Sequence, residues 1–145
     1  MATILNYLRT SPPPKFNPAR PLLPGHPPAA QLPLDPARYL ELAIDSVGPL
    51  IKIKSLTGQA GGGRALPVPM PLEARQRRRT AFVWLLEVVN KKPSRGSGRN
   101  TFAHRVAEEV VAVVEGRSSL WDKRQLLHKQ ATTSRINVNA LQKKR

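Results

Sequence analysis

Apolar residues recur at helical spacing near the N-terminus and again after residue 35, and both stretches predict amphipathic helices. Those within residues 4–8 are typical of the last turns of a helix. A second helix is predicted to start at Asp35, a helix-capping acid that is followed by proline at the first helical position. It ends before Gly48 and Pro49, which stop helices. Its predicted inner face consists of Ala37, Leu40, Ala43, Ile44 and Val47.

A third helix is predicted over Leu72–Asn90, where apolar residues form one broad stripe beside Trp84. The members of this stripe are Ala81, Phe82, Leu85, Leu86, Val88 and Val89. A fourth helix is predicted to be capped by Asn100 or Thr101 and to end at Gly116. Its predicted inner residues are Phe102, Val106, Val110 and Val113.

A last helix is predicted over Leu120–Ser134, because Ser119 and Asp122 stand at the spacing of a capping box. Its apolar positions are Leu120, Leu127 and Ala131. Basic side chains recur beside them at steps of four and seven residues, which predicts a neighbouring stripe on the same helix. The members of this stripe are Arg124, His128 and Arg135.

Between the second and third helices the pattern changes to the alternation of a half-buried strand. Leu50–Ser55 alternates isoleucine with lysine, Thr57–Gly63 is a glycine-rich turn, and Ala65–Met70 is the returning strand. The prolines at positions 67, 69 and 71 share one parity, so the amide groups that they lack all fall on one edge. This pattern predicts a protruding, basic two-stranded ribbon with one edge that cannot pair.

Ten of the fifteen prolines lie between Pro12 and Pro36. This density predicts an extended connector, because proline lacks the amide N–H that helices and central strands need. The chain is therefore divided into a helix end plus connector (1–34), a helical domain with a hairpin at about 50–70 (35–135), and a basic tail (136–145). The predicted fold class is mainly α: a helical bundle with a protruding two-stranded β-hairpin.

The charge of the chain predicts a polyanionic partner. The formal net charge is +15, and the sequence pI is about 11.5. Residues 1–51 contain four Lys or Arg and three Asp or Glu, whereas residues 52–145 contain twenty and six. Because only 5% of residues are aromatic, stacking on splayed bases is a poor explanation. We predict that the helical domain binds a folded RNA through its shape and backbone.

The sequence contains no recognisable catalytic or metal-binding motif. It has no cysteine, which excludes thiolate metal sites and cysteine catalysis. The three histidines are scattered, and the nine acids form no paired carboxylates suited to Mg²⁺ or to acid–base catalysis. We therefore expect no enzyme activity, no cofactor, no metal and no small-molecule substrate. No apolar run approaches the length of a membrane span, so a membrane is not an expected partner.

Cations recur on the predicted hairpin, at the start of the third helix, in a loop over 91–99 and on the last helix. Lysine and arginine at such positions neutralise phosphates and release counterions. The candidate RNA-binding residues are Lys52, Lys54, Arg64, Arg75, Arg77, Arg78, Arg79, Lys91, Lys92, Arg95, Arg99, Arg105, Lys123, Arg124, His128, Lys129 and Arg135.

Short motifs follow one another in a fixed order between about Asp35 and Arg135. They are Gly62-Gly63, Val68-Pro69, Arg77, Ala81, Trp84-Leu85, Phe102-Ala103-His104-Arg105-Val106-Ala107-Glu108-Glu109, Lys123-Arg124, His128-Lys129, Ala131 and Arg135. In order and spacing this set resembles the small-subunit ribosomal proteins of the seventh universal family. The resemblance implies a structural role in the small ribosomal subunit, supporting subunit assembly and translation. It also implies binding to the head (3′ major) domain of the rRNA, beside neighbouring head proteins and near the exit-site tRNA and the mRNA exit.

The sequence departs from this family at its N-terminal end. The family's first helix and most of its second, with a glycine–lysine signature, have no counterpart, so the sequence resembles an N-terminally truncated member. The proline-rich connector is most similar to that of fungal mitochondrial members, which implies a mitochondrial ribosome, with a bacterial or other organellar ribosome as the alternative. Two interpretations outside the family stay open. One is a free-standing basic nucleic-acid chaperone or compacting protein, and the other is an adaptor whose proline segment recruits proteins.

Overall fold

Helices dominate the computed structural model, which describes residues 1–60, 63–93 and 102–139. The elements, in chain order, are α1 (Ala2–Thr10), a 3₁₀ turn (Ala29–Leu34), α2 (Pro36–Val47), β1 (Ile51–Ala60), β2 (Arg64–Pro71), α3 (Ala74–Lys91), α4 (Phe102–Val114), α5 (Ser119–Ser134) and a second 3₁₀ turn (Arg135–Val138). The predicted fold class, mainly α with a two-stranded β-hairpin, is confirmed. The predicted cap of α4 at Asn100 or Thr101 lies outside the described residues.

A hydrophobic core joins the five α-helices. Its buried members are Leu8, Leu32, Tyr39, Leu42, Ala43, Val47, Ala81, Leu85, Val89, Val106, Val110, Val113, Val114, Leu120 and Trp121. The indole Nε1 of Trp121 donates a hydrogen bond to the carbonyl of Val113 at 2.8 Å. This buried hydrogen bond holds the start of α5 against the end of α4.

The proline-rich segment follows the surface of the helices and is held there by polar and close contacts. Arg20 forms an ion pair with Asp122 of α5 at 2.7 Å. Gly116, just after α4, has a φ of +74°, and a Cβ added there would lie 2.9 Å from the Cβ of Asn17. Only glycine suits this position, because both its backbone conformation and the close approach of the segment exclude a side chain.

The end of the proline-rich segment is helical, which corrects the prediction of an extended connector throughout. In the first 3₁₀ turn, the amide of Gln31 donates to the carbonyl of Pro28 at 2.9 Å. A short 3₁₀ turn needs few amides, so it tolerates Pro33, whose missing N–H would interrupt a longer helix. The turn places Leu32 in the hydrophobic core.

The buried face of α2 differs from the predicted one. Tyr39 and Leu42 are buried although neither was predicted to be internal. Of the residues predicted to be internal, Ala43 and Val47 are buried. Leu40 and Ile44 are only partly buried, and Ala37 is exposed. The cause is that α1 and the first 3₁₀ turn contact α2 and cover a second face of it.

Two phenylalanines that were predicted to be internal are exposed. Phe82 retains 42% of its accessible surface and Phe102 retains 44%. The buried residues of α3 are Ala81, Leu85 and Val89, which follow one another at steps of four. This line is narrower than the predicted stripe, so the flanks of α3 remain uncovered.

The helix starts differ slightly from the predicted ones. α3 starts two residues later than predicted, because Glu73 and Gln76 form the reciprocal hydrogen bonds of a capping box. α5 is capped by the hydroxyl of Ser118, which accepts a hydrogen bond from the amide of Leu120, and not by Ser119. The predicted loop over 91–99 begins later, because residue 91 is the last of α3.

The strands pair as predicted, but β1 is longer than expected. It extends to Ala60, so residues 57–60 belong to the strand and not to the turn. The amide of Leu72 donates to the carbonyl of Leu50 at 3.0 Å, so these two residues form a hydrogen-bonded pair. Along an antiparallel ladder such pairs alternate with pairs that are not hydrogen-bonded. The prolines at 67, 69 and 71 fall in the alternate positions, so the amides that they lack lie on the outer edge.

The base of the hairpin rests on the helices. Both strands contact α5, and β2 also contacts the second 3₁₀ turn. In that turn, the side-chain amide of Asn137 donates to the carbonyl of Pro67 at 2.9 Å. Leu56 and Val68 are buried, although neither belongs to the main core. Nearer the tip, Thr57, Gly63, Arg64 and Ala65 are exposed.

Candidate nucleic-acid interface

Two side chains of α5 reach the backbone that joins α2 to β1. The Nε atom of Arg124 donates to the carbonyl of Gly48 at 3.4 Å, and Nε2 of His128 accepts from the amide of Leu50 at 3.1 Å. They act together because residues four apart lie on the same face of a helix. α5 therefore fixes the entry to the hairpin and places two basic groups beside it.

The hydrogen bond from Leu50 determines which nitrogen of His128 carries a proton. Nε2 can accept only when it is unprotonated, so the proton of the neutral ring is on Nδ1. Partial burial lowers the pKa of His128 below its ordinary value of 6.5, and the charge of Arg124 lowers it further. The ring is therefore neutral at pH 7 and offers an N–H donor at Nδ1.

Arg124 and Arg77 lie close enough for their positive charges to repel each other. Burial lowers the pKa of Arg124, and repulsion from Arg77 of α3 lowers it further. A Cβ added to Gly48 would lie 3.4 Å from the Cβ of Arg77, which locates Arg77 at the same backbone. Asp45 lines a small cavity with Arg77 and Gly48, but Arg78 holds its carboxylate. Within the described residues, neither Arg77 nor Arg124 forms an ion pair.

A groove of about 370 Å³ runs between α5 and the base of the hairpin. It is lined by Leu50, Ile51, Pro69, His128, Ala131, Thr132 and Arg135. Arg135 begins the second 3₁₀ turn and not a further turn of α5, yet it lines the same groove as His128, as the predicted stripe required. We refer to Arg77, Arg124, His128 and Arg135 together as the cationic junction.

The cationic junction is suited to an anion with several oxygen atoms. Each guanidinium presents N–H donors in a planar fork that matches phosphate, and the neutral ring of His128 adds another donor. Partial burial of Arg77, Arg124 and His128 strengthens such contacts, because the surroundings are less polarisable than water. An anion here would also offset the repulsion between Arg77 and Arg124. The phosphate backbone of a nucleic acid meets all of these requirements.

Arg78, another candidate, is engaged within the protein. Its Nε and Nη2 donate to the two carboxylate oxygens of Asp45, each at 2.7 Å, and Nη2 also lies 2.8 Å from Glu41. The hydrogen bonds to Asp45 are the main reason why the pKa of Arg78 is raised. These contacts join α3 to α2, so Arg78 has a structural partner that the sequence did not predict.

Three further candidates are engaged around the C-terminal half of α3. Lys92 pairs with the buried carboxylate of Glu109 at 2.6 Å, and Arg105 donates to the carbonyl of Lys92 at 2.9 Å. Lys123 pairs with Glu87 at 2.6 Å, and this hydrogen bond is the main cause that lowers the pKa of Glu87. These contacts link α3 to α4 and α5.

The remaining candidates are exposed or lie outside the described residues. Those that are exposed and form no ion pair with any described residue are Lys52, Lys54, Arg64, Arg75, Arg79, Lys91 and Lys129. Arg95 and Arg99 lie outside the described residues. Of the candidates that the structure describes, Arg77, Arg124 and His128 are brought together around the backbone between Gly48 and Leu50, and Arg135 lines the groove beside it.

Sequence reasoning missed the backbone part of this site. Gly48 supplies the carbonyl and Leu50 the amide that orient Arg124 and His128. The signal was present as the glycine–proline pair after α2, but that pair was interpreted only as a helix stop. The end of a helix leaves carbonyls without intrahelical partners, and the connection that follows it has free amides, so side chains from elsewhere can bind both.

The described residues contain neither a metal-binding cluster nor a helix that could span a membrane. Over 1–60, 63–93 and 102–139, no three His, Asp or Glu side chains are grouped so that they could hold a metal ion. In those same ranges, no helix combines the length and the apolar character needed to cross a membrane.

The sequence is similar to proteins of the small ribosomal subunit. The family model described as ribosomal protein S7p/S5e matches residues 29–135. The chain is 70% identical over 140 residues to small ribosomal subunit protein uS7m of Neurospora crassa, covering 97% of this chain and 45% of that protein. It is 31% identical over 101 residues to small ribosomal subunit protein uS7 of Halorhodospira halophila, with 70% and 60% covered. The uS7 protein of Anaeromyxobacter sp. (strain K) is 34% identical over 108 residues, with 73% and 63% covered.

The chain spans between 45% and 63% of the length of these three relatives. The part that matches the family model includes α2, the hairpin, α3, α4 and α5. All four residues of the cationic junction lie within it. The chain belongs to the S7p/S5e family of ribosomal proteins.

Proposed function

We propose that this protein is a structural constituent of the small ribosomal subunit and binds the head (3′ major) domain of its rRNA. The observation that carries the proposal is the cationic junction, where Arg77 and Arg124 share a partly buried place without a carboxylate partner among the described residues. Phosphates of a folded RNA would supply the negative charge. Membership of the S7p/S5e family supports the same role.

The hairpin extends this surface beyond the cationic junction. Lys52 and Lys54 are exposed and alternate along β1 with the partly buried Ile51 and Ile53. A ribbon of this kind can follow an RNA groove and neutralise phosphates on its cationic side. Shape and backbone would then dominate recognition, as is usual for structured RNA.

The proposed setting is the mitochondrial ribosome, and the proposed role is not catalytic. The identity to the Neurospora crassa protein named uS7m supports this location. The resemblance described above supports a position near the exit-site tRNA and the mRNA exit, with head proteins as neighbours. In this position the protein would support assembly of the subunit and translation.

Sedimentation of the full chain with small ribosomal subunits tests the proposal. The protein should remain with the particle after a high-salt wash. Salt releases proteins that are held only by non-specific contacts to phosphates, whereas a protein that fits the folded rRNA stays bound. In isolation, the protein should prefer a fragment of the rRNA head domain to a random duplex at moderate salt. Complete release by the wash, or equal affinity for both nucleic acids, would favour a free-standing nucleic-acid chaperone.

A further inference from the structure

A second groove lies between α2 and α3 and differs in character from the cationic junction. Its volume is about 500 Å³, and its walls are largely apolar. The apolar lining residues are Ala37, Leu40 and Ile44 of α2 and Phe82 of α3. The charged lining residues are Glu41, Asp45, Arg78 and Arg79. Phe82 is a large apolar side chain whose exposure the fold of this chain does not explain.

The charges at this α2–α3 groove balance, although the whole chain has a net charge of +15. Arg78 binds both Glu41 and Asp45, so the two carboxylates already have a cation. Arg79 is exposed and forms no ion pair with any described residue. The groove therefore has an apolar floor, an acidic side on which two carboxylates share one arginine, and Arg79, which has no ion-pair partner among the described residues.

RNA is a poor occupant for such a groove. The two carboxylates would repel phosphates, and the apolar floor around Phe82 offers phosphate oxygens no hydrogen-bond donor. A protein segment fits better, since protein interfaces combine an apolar centre with a polar rim. Complementarity to Arg79 further requires a carboxylate on that segment.

We propose that the α2–α3 groove binds a neighbouring small-subunit protein through an amphipathic segment. The apolar side of the segment covers Leu40 and Phe82, and an acidic side chain pairs with Arg79. This inference rests on the proposed function, because it takes the neighbour from the assembled ribosomal subunit. It adds a protein-binding face to a chain whose cationic junction is proposed to bind rRNA.

Site-specific photo-crosslinking in assembled small subunits tests this proposal. The full chain is prepared with benzoylphenylalanine in place of Phe82, and as a control in place of Ile136, which is 74% exposed and follows Arg135 of the cationic junction in the second 3₁₀ turn. The probe at position 82 should crosslink to a peptide of another small-subunit protein, and that peptide should carry apolar residues and a carboxylate. The probe at position 136 should crosslink to rRNA. Crosslinking of position 82 to rRNA, or to nothing in particles that contain the chain, would overturn the proposal.

A charge reversal in the same particles tests the role of Arg79. Arg79→Glu should lower the yield of the position-82 protein crosslink about ten-fold per incorporated chain, because attraction becomes repulsion at the rim. Arg79→Lys should retain most of the yield. Arg38→Glu makes the same charge change on the exposed surface of α2 outside this groove and should leave the yield unchanged. An equal loss of yield in Arg38→Glu would overturn the proposed pairing between Arg79 and a carboxylate of the bound segment. A chain that never sediments with the subunit would overturn the proposed function and this inference together.

Discussion

The Nε2 atom of His128 lies 3.1 Å from the backbone nitrogen of Leu50 and accepts its hydrogen bond. This contact ties α5 to the first residue before β1, so the direction in which the hairpin leaves the helices depends on the last helix of the chain. Arg124, one turn earlier, binds the carbonyl of Gly48 in the same connection. The cationic junction, which we propose binds rRNA, therefore also helps to position the hairpin.

The first prediction concerns pH. The pKa of His128 in the folded state is lower than its ordinary value of 6.5. As the pH falls, the unfolded chain therefore binds a proton at this ring before the folded chain does. This part of the stability is fully present above about pH 6.5 and is lost as the pH falls from there through the folded-state pKa. Chemical denaturation between about pH 8 and pH 5 should show a steeper loss for the native sequence than for His128→Gln. Parallel curves for the two proteins would contradict this account of His128.

The second prediction separates two adjacent arginines that sequence alone treats alike. Arg78→Gln should lower the melting temperature, because it removes the contacts to Glu41 and Asp45 that join α3 to α2. Arg79→Gln is the matched control, since Arg79 has no ion pair among the described residues, and it should melt like the native protein. The two melting temperatures are measured by circular dichroism. Equal effects of the two changes would mean that the Arg78 ion pairs contribute nothing measurable.

The third prediction separates the core from the exposed flank of α3. Leu85→Ala should lower the free energy of unfolding by about 2–5 kcal/mol, because it opens a cavity among buried side chains. Phe82→Ala should cost about 1 kcal/mol or less, because a large part of that ring is already in water. Urea denaturation of both variants provides the comparison. A larger loss for Phe82→Ala than for Leu85→Ala would show that Phe82 also packs in the core, so that the buried side of α3 is wider than Ala81, Leu85 and Val89.

The fourth prediction concerns the buried carboxylate of Glu109. Its oxygens bind the ammonium of Lys92 at 2.6 Å and the hydroxyl of Ser118, which also caps α5. Glu109→Gln should lower the free energy of unfolding by about 1–3 kcal/mol, because Lys92 is then left without a charged partner. The effect should shrink in a Lys92→Gln background, which a double-mutant cycle would measure. Full additivity of the two changes would rule out the ion pair as the cause.

Local features of the fold could be predicted from sequence because they depend on neighbours in the chain. The helical spacing, the start of α2 at Asp35 and the outer edge formed by the prolines of β2 are all of this kind. The exposure of Phe82 and Phe102 could not be predicted in this way. It depends on which helices meet α3 and α4, and a hydrophobic pattern does not specify that.

The same distinction applies to the cationic junction. The spacing of Arg124 and His128 correctly placed them on one face of the last helix. Nothing in that spacing shows that Arg77, from another helix, joins them at Gly48. Nor does it show that Arg78, adjacent to Arg77 in the chain, is bound by acids of α2. Charge counting predicted the class of partner, but only packing separates the cations that pair internally from those that form no ion pair with a described residue.

The measurement that tests the central claim most directly is the salt dependence of binding to a fragment of the rRNA head domain. Arg77→Gln combined with Arg124→Gln should weaken binding at least ten-fold, about 1.4 kcal/mol, and reduce the slope of log affinity against log salt by about 0.7–0.9 for each phosphate that is no longer neutralised. Arg9→Gln combined with Arg38→Gln removes the same charge from exposed positions outside the candidate site and should change binding little. Equal losses in the two double variants would contradict the claim that the cationic junction binds the phosphate backbone.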